Sequence, residues 1–356
     1  MVNNIQLPET NEVILDDLES LLDYPLKWKE LKKLKILITG GNGFLASFLA
    51  KSLLAASERY NLGIEVIAIV RNKHKVDRLT DWLDFKGLTV FEHDLSTELP
   101  KDFPSANWII HASSKASPKF YGSDPMGTLM PNSFGTLNLL KKAVKDETSK
   151  FLFISSSEVY GQLVITLTED VFGSIDPMDI RATYAESKRM GELLTNVFSH
   201  QESIDCYVAR PFHTYGPGVY LDDGRVFSDF VSNVVSNEPI SLNSDGKASR
   251  PFCYITDAIL AFLVILMDGK SGEAYNVSNP DGNISIIDLA HMISRLIQGR
   301  HVEVKQNLNI DEDYIPSPIV KQDPRIEKIL ELGWKPSITL EEGFTRMIQS
   351  YPLNNK

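Results

Sequence analysis

From residue 35 onward the chain alternates short, wholly apolar runs with longer amphipathic ones. The runs at 35–39, 65–70, 89–92, 108–111, 151–155 and 205–210 are apolar at consecutive positions rather than at every second one. Such strands are buried on both faces, as in a parallel sheet. Between them, 44–57, 133–144 and 184–199 carry apolar residues at helical spacing. The alternation predicts an α/β fold, a Rossmann-type doubly wound parallel sheet, over residues 34–211. Ahead of it, Val13, Ile14, Leu15, Leu18, Leu21 and Leu22 recur at helical spacing and Pro25 follows. This predicts a helical N-terminal extension, residues 1–33, packed on the body. Past Pro211 the pattern changes. Turns crowd in, as at Tyr215-Gly216-Pro217-Gly218 and Asn279-Pro280-Asp281-Gly282, and a helix is predicted over 286–298. Residues 212–356 read as a smaller C-terminal lobe.

Composition narrows the class. The 356 residues are 43% hydrophobic and 23% charged, enough for a packed core in about two domains. A net charge of −11 disfavours nucleic acid and anionic membranes as partners. No apolar run approaches the ~20 residues that span a bilayer. Met1-Val2-Asn3-Asn4 lacks the basic-then-apolar pattern of a signal peptide, so a cytoplasmic location is expected. Cys206 and Cys253 make neither a disulfide framework nor a zinc site, and no metal is expected.

Candidate chemistry gathers in three places. The first is the turn Thr39-Gly40-Gly41-Asn42-Gly43-Phe44-Leu45-Ala46, which follows a strand and opens a helix. Gly40 and Gly43 let backbone approach a dinucleotide pyrophosphate at the helix N-terminus, with Phe44 and Leu45 beside it. The second is the end of the next strand, Val70-Arg71-Asn72-Lys73. A carboxylate there would take the ribose hydroxyls of NAD. Arg71 and Lys73 suit a 2′-phosphate instead, so the cofactor is NAD or NADP with NADP favoured. Further along the strand ends, Asp94 and Leu95 are placed for the adenine. Ala112 and Ser113 would pass beside the dinucleotide, as would Pro211. His111 reads as structural.

The third place is catalytic. A free tyrosine has a pKa near ~10, and a nearby cation lowers it. Lys188 lies four residues after Tyr184, on one helix face. Tyr184 can then take a proton from a sugar hydroxyl while the carbon gives up its hydride. Ser156, at the end of the 151–155 strand, would hold that hydroxyl.

These motifs resemble the extended short-chain dehydrogenases/reductases, in the nucleotide-sugar epimerase/dehydratase group. The branch of similar pattern is that of the UDP-glucuronate decarboxylases. Ser156-Ser157-Glu158-Val159-Tyr160-Gly161, Gly135-Thr136-Leu137-Asn138, Arg210-Pro211-Phe212, Asp222-Asp223-Gly224-Arg225-Val226 and Leu332-Gly333-Trp334-Lys335-Pro336 carry the likeness. The resemblance implies a nucleotide diphosphate sugar lying between the Rossmann domain and a substrate-binding C-terminal lobe. Arg250, Arg225 and Asn132 would bind the diphosphate. Ser157, Lys115, His213 and Val226 would contact substrate, and Glu158 would join Ser156, Tyr184 and Lys188 in catalysis. It also implies a homodimer with a four-helix interface built from 133–144 and 184–199, with Met190, Leu193, Leu194 and Val197 as an apolar stripe.

Oxidation at C4 of the sugar opens several outcomes. A 4-keto uronic acid can lose carbon dioxide, and a 4-keto hexose can return as its epimer. Elimination of water is disfavoured, because the family's Asp-Glu pair reads Ser157-Glu158 here. Two positions depart from the decarboxylase pattern. Val320-Lys321-Gln322-Asp323-Pro324 lacks an expected arginine, and His213 replaces an asparagine. Decarboxylation or 4-epimerisation is the expected activity, with NADPH-dependent reduction of a 4-keto deoxysugar nucleotide as the alternative. A nonenzymatic dinucleotide-binding regulator is disfavoured by the intact Ser156, Tyr184 and Lys188.

Overall fold

In the computed structural model, which describes residues 7–162, 166–306 and 321–353, the expected alternation is present. Met1 to Asn4 and Val320 lie outside the described residues. The elements run α1 (Glu12–Leu22), β1 (Lys35–Thr39), α2 (Phe44–Arg59), β2 (Glu65–Val70), β3 (Leu88–Glu92) and β4 (Trp108–His111). There follow α3 (Lys119–Ser123), α4 (Pro125–Met130), a π-helical turn (Pro131–Gly135), α5 (Thr136–Lys145), β5 (Lys150–Ile154), β6 (Thr166–Leu167) and α6 (Ala182–Gln201). Then come β7 (Asp205–Pro211), β8 (His213–Tyr215), α7 (Val226–Ser236), β9 (Ile240–Leu242), β10 (Ser249–Tyr254) and α8 (Ile255–Asp268). The chain closes with β11 (Ala274–Val277), β12 (Asn283–Ser285), α9 (Ile286–Ile293), β13 (Val304–Gln306), β14 (Asp323–Pro324), α10 (Glu327–Leu330) and α11 (Leu340–Gln349).

Seven strands form one sheet in the order β11-β7-β5-β4-β1-β2-β3. Every pair in it is parallel. The order reverses between β1 and β4, and the ends of those strands open the crevice where a doubly wound sheet binds ligands. Consecutive apolar positions in β1, β4 and β5 are buried because helices cover both faces. The seventh strand, β11, lies beyond Pro211, so the sheet reaches into the region read from sequence as the second lobe. Its four residues, Ala274-Tyr275-Asn276-Val277, carry an asparagine mid-strand and no clear period.

Two glycines set the site's dimensions. At Gly40, φ is +68° and a Cβ would lie 2.9 Å from the Ser113 Cα, so β1 and β4 approach through it. At Gly191 a Cβ would lie 2.2 Å from the Phe153 ring, so α6 sits close against β5 only because that position is glycine.

The extension joins both halves of the molecule. Asn11 caps α1, its Oδ1 accepting from the Ile14 N–H at 3.3 Å, and its Nδ2 donates to the Ser350 carbonyl at 2.8 Å. Buried Glu9 pairs with Lys51 of α2 at 2.5 Å. Buried Asp17 accepts from Tyr254 of β10 at 2.6 Å and from Arg346 of α11 at 2.8 Å. Leu18, Leu21 and Leu22 are wholly buried, each worth about 1.5–3 kcal/mol of burial. Among the described residues, no helix is long and apolar enough to cross a membrane.

Candidate active site

The ends of β1, β2, β3 and β4 line a cavity of about 580 Å³ that includes Gly40, Gly43, Arg71, Asp94, Leu95, Ala112 and Ser113. A second cavity of about 280 Å³ shares Gly43, Ala112 and Ser114 with it as a common wall. Phe44, Leu45, Ser156, Ser157, Glu158, Tyr184, Lys188, Pro211, His213 and Arg225 line that second space. The two cavities therefore form one groove, with the ends of β2 and β3 at one end, the Ser-Tyr-Lys set at the other and the glycine turn between them.

The glycine turn is built to face an anion. The Gly43 N–H donates to the Gly40 carbonyl at 2.6 Å, and α2 begins at the next residue with its first N–H groups unpaired by helix. Behind it, the Thr39 hydroxyl oxygen accepts from the Ala112 and Ser113 N–H groups, both at 3.1 Å. That oxygen sits 2.7 Å from His111 Nδ1, and the His111 Nε2 is 3.1 Å from the Pro131 carbonyl. The network assigns the proton to Nε2, leaving Nδ1 to accept from Thr39. Burial and the charge of Lys188 push the His111 pKa down to about 3, so the ring is neutral and structural, as the sequence suggested.

Some expected ligands stand elsewhere. Lys73 does not line the groove; its N–H donates to Glu92 at 2.9 Å, and Lys75 lines the cavity beside Arg71 in its place. Lys115 faces the dinucleotide end rather than the catalytic end and pairs with Asp124. Asn132 is wholly buried in the π-helical turn. Its Nδ2 lies 3.0 Å from the Ser114 hydroxyl and 3.1 Å from that of Ser187, so it braces the groove's wall rather than facing its contents. Val226 opens α7 at the protein surface. Arg250 is buried behind the groove, close enough for its charge to act on both Glu158 and His213.

At the catalytic end, Tyr184 is the third residue of α6 and is buried. It hydrogen-bonds the Ser156 hydroxyl, which also accepts from the Glu158 N–H at 3.2 Å. Lys188 is buried one turn on, and its Nζ donates to the Ile154 carbonyl at 2.7 Å. The ammonium lies 5.8 Å from the Tyr184 ring centre. The expected lowering of the tyrosine is not met. Burial raises the Tyr184 pKa to about 12 against the Ser156 hydrogen bond, and burial lowers Lys188 to about 7 against the charge of Glu192. Desolvation is the largest influence on the phenol, Glu158 adds to it, and the cation that opposes it is Arg225 rather than Lys188.

Glu158 is half-buried, and burial raises its pKa against the charges of Arg181 and Arg250. Burial therefore favours its protonated form. His213 donates from Nε2 to the Gln322 side-chain oxygen at 3.1 Å, leaving Nδ1 as an acceptor; burial and the charge of Arg250 push it down to about 3. Arg225 donates from Nε to Asp223 at 2.6 Å and lines the groove.

Three lining residues had no signal in the sequence. Tyr121 stacks on Tyr184, with ring centres 5.0 Å apart and planes at 8°. Arg78 donates to the Asn42 carbonyl at 2.9 Å and the Gly218 carbonyl at 2.7 Å, and so ties the glycine turn to the C-terminal lobe. Ser114 joins the two cavities. Each gains its place from contacts between segments distant in sequence. Among the described residues, no cluster of three His, Cys, Asp or Glu side chains is placed to hold a metal ion.

Residues 36–278 match a family described as "NAD dependent epimerase/dehydratase family". The chain is 34% identical over 322 residues to UDP-glucuronic acid decarboxylase 6 of Arabidopsis thaliana, covering 90% of this chain and 89% of that one. It is 31% identical to UDP-glucuronic acid decarboxylase 1 of Danio rerio, covering 92% of this chain and 75% of the relative. Among solved structures, it is similar to a UDP-glucuronic acid 4-epimerase from Bacillus cereus in complex with UDP-glucuronic acid and NAD. The TM-score is 0.74 at 23% identity, over 89% of this chain and 98% of that one.

Proposed function

Because the chain belongs to the NAD dependent epimerase/dehydratase family, we propose that it oxidises C4 of a UDP-linked uronic acid and then either removes the carboxyl group or inverts C4. The observation that carries this reading is the meeting of Ser156, Glu158, Tyr184 and Lys188 in one cavity that opens onto the glycine turn. The groove fits a dinucleotide: a Cβ at Gly40 would fill the space against Ser113, and the α2 N-terminus faces it. Gly40, Gly43, Ala112 and Ser113 would hold the pyrophosphate and its neighbourhood, and Asp94 and Leu95 the adenine. A bound nicotinamide would supply a hydride acceptor and a positive charge.

This chain's residues do the rest. Ser156 and Tyr184 hold the C4 hydroxyl between them, and Tyr184 takes its proton. With a ketone at C4, the C5–carboxyl bond can break, its electron pair moving to the C4 oxygen as an enolate. Ser156 and Tyr184 stabilise that oxygen, and Glu158, whose protonated form burial favours, returns a proton to C5. His213 offers Nδ1 to a substrate hydroxyl, while Arg225, with Arg250 behind it, supplies positive charge for the diphosphate. Incubation of the protein and NAD with UDP-glucuronate, followed by mass spectrometry, tests the reading. A product lighter by one carbon dioxide, or one of equal mass and altered retention, supports it. Recovery of only the starting compound contradicts it.

A second reading rests on the basic turn. Arg71 and Lys75 line the groove where a ribose-binding carboxylate would stand, and Gln322 sits by His213 where the decarboxylase branch carries arginine. These features favour NADP and reduction of a 4-keto sugar nucleotide. If the turn reads a 2′-phosphate, Arg71→Ala weakens NADP binding about tenfold or more, one charge-assisted contact, and leaves NAD binding near wild type. Titration calorimetry with both dinucleotides checks this.

The homodimer also stands as a proposal. Met190 and Leu193 on α6 and Met126 on α4 are exposed, and α6 packs beside both α4 and α5. Leu194, counted in the apolar stripe, turns inward to the core instead. The exposed set supports a four-helix contact between two copies. Leu193→Glu is expected to leave the fold unchanged and to yield a monomer in light scattering at micromolar concentration.

A further inference from the structure

Lys188 keeps company that the reaction scheme leaves unused. Four residues further along α6, the Glu192 carboxylate accepts from the Ser155 hydroxyl at 2.5 Å and from Arg210 Nε at 2.9 Å. Its other oxygen accepts from Arg210 Nη2 at 2.7 Å, so the arginine grips it with both arms. Arg210 is itself fully engaged. Its Nη1 donates to the Tyr160 hydroxyl and the Glu169 carbonyl, both at 3.0 Å, and the Tyr160 hydroxyl donates to Asn276 at 2.6 Å. Ser155 stands between Ile154, whose carbonyl holds the Lys188 ammonium, and Ser156, which holds Tyr184. The Ser155 N–H donates to the Ala209 carbonyl at 2.7 Å, next to Arg210. One carboxylate thus pins α6, the end of β5 and β7 to one another at the base of the catalytic set.

We propose that Glu192, clamped by Arg210, is the positioning residue that holds Lys188 as an ammonium against the Ile154 carbonyl. The other groups facing Lys188 bring no negative charge. His111 on β4 is a neutral ring, Tyr184 on α6 is a neutral phenol, and Phe153 on β5 presents its ring face 4.9 Å from Nζ. Glu192 is the carboxylate whose charge opposes the burial of Lys188. The Glu192–Arg210 pair also lines a separate cavity of about 690 Å³, which shares none of the groove's lining residues. The pair therefore acts from behind the site and does not touch what the groove holds.

The inference rests on Lys188 as the site's cation, and its test reads that ammonium directly. The protein is labelled with 13Cε-lysine and titrated by NMR, the Lys188 signal being identified by its loss in Lys188→Met. In Glu192→Gln the midpoint is expected to fall by about one pH unit, the effect of removing one nearby opposite charge. A double variant, Glu192→Met with Arg210→Met, removes the pair without stranding a buried arginine and keeps the test open if the single variant fails to fold. Its midpoint also moves down, by less, because a repelling cation goes too. Unmoved midpoints in both overturn the proposal. A lowered midpoint with wild-type kcat supports Glu192's hold on the lysine and instead overturns the catalytic reading of Lys188.

Discussion

Tyr184→Phe is expected to lower kcat by about 10²–10⁴-fold, the usual contribution of a positioned proton-transfer group. The substitution removes one oxygen. It keeps the ring stacked on Tyr121 at 5.0 Å and keeps the buried packing of α6 against β5. The lost hydrogen bond to Ser156 is worth about 1 kcal/mol, so the fold persists and substrate binding changes little. Steady-state kinetics with thermal unfolding separates the two effects. A variant with wild-type kcat would remove Tyr184 from the proton path. The raised pKa of the phenol, about 12, sharpens the expectation. A neutral Tyr184 gives up its proton only with positive charge assembled around it; Arg225 already lowers its pKa, and Lys188 stands one turn away on the same helix.

Lys188→Met should move activity and stability in opposite directions. The ammonium is buried and its pKa is lowered to about 7 from an ordinary value of 10.5. A cation whose folded-state pKa is depressed costs the fold stability wherever it is held charged. That cost is complete below pH 7 and fades as pH rises from there toward 10.5. A shift of that size corresponds to up to about 5 kcal/mol, less about 1 kcal/mol for the hydrogen bond to Ile154 that the variant loses. Lys188→Met is therefore expected to unfold at higher temperature than wild type at pH 6, with the gap closing toward pH 10. Its kcat falls by about 10²-fold or more, since the phenolate loses its neighbouring charge. Melting curves across pH, run beside kinetics, check both halves. Loss of stability at pH 6 would mean that the lysine is a structural ammonium rather than one held at a cost for chemistry.

The sheet and the placement of Tyr184 and Lys188 on one helix face were legible because each left a local pattern. Strands buried on both faces announce themselves by unbroken apolar runs, and Tyr184 and Lys188 share a helix face by spacing alone. What stayed hidden depends on contacts between distant segments. β11 joins the sheet as four residues with a buried asparagine at its centre, too short to show a period. His213 and Gln322 are 109 residues apart and meet only through the fold. Lys73 and Lys75 are alike in sequence, and the course of the turn decides that the second lines the groove. The tyrosine's raised pKa is a further case. Spacing places a cation nearby, but it does not say how completely both groups leave water. Asn132 reads as a polar residue on a helix, whereas the π-helical turn buries it beneath Ser114.

In the proposed reaction, C4 of the sugar gives up its hydrogen to the groove and receives it back, with Tyr184 moving the accompanying proton. The most direct measurement uses UDP-glucuronate deuterated at C4, incubated with the protein and NAD, with the product's label read by mass spectrometry and NMR. Deuterium is expected to be retained at C4 of a decarboxylated or C4-inverted product, with turnover by Tyr184→Phe lowered by about 10²–10⁴-fold. Product whose C4 label has washed into solvent, or has never left a C4 of unchanged configuration while chemistry occurs elsewhere in Tyr184→Phe, would contradict it.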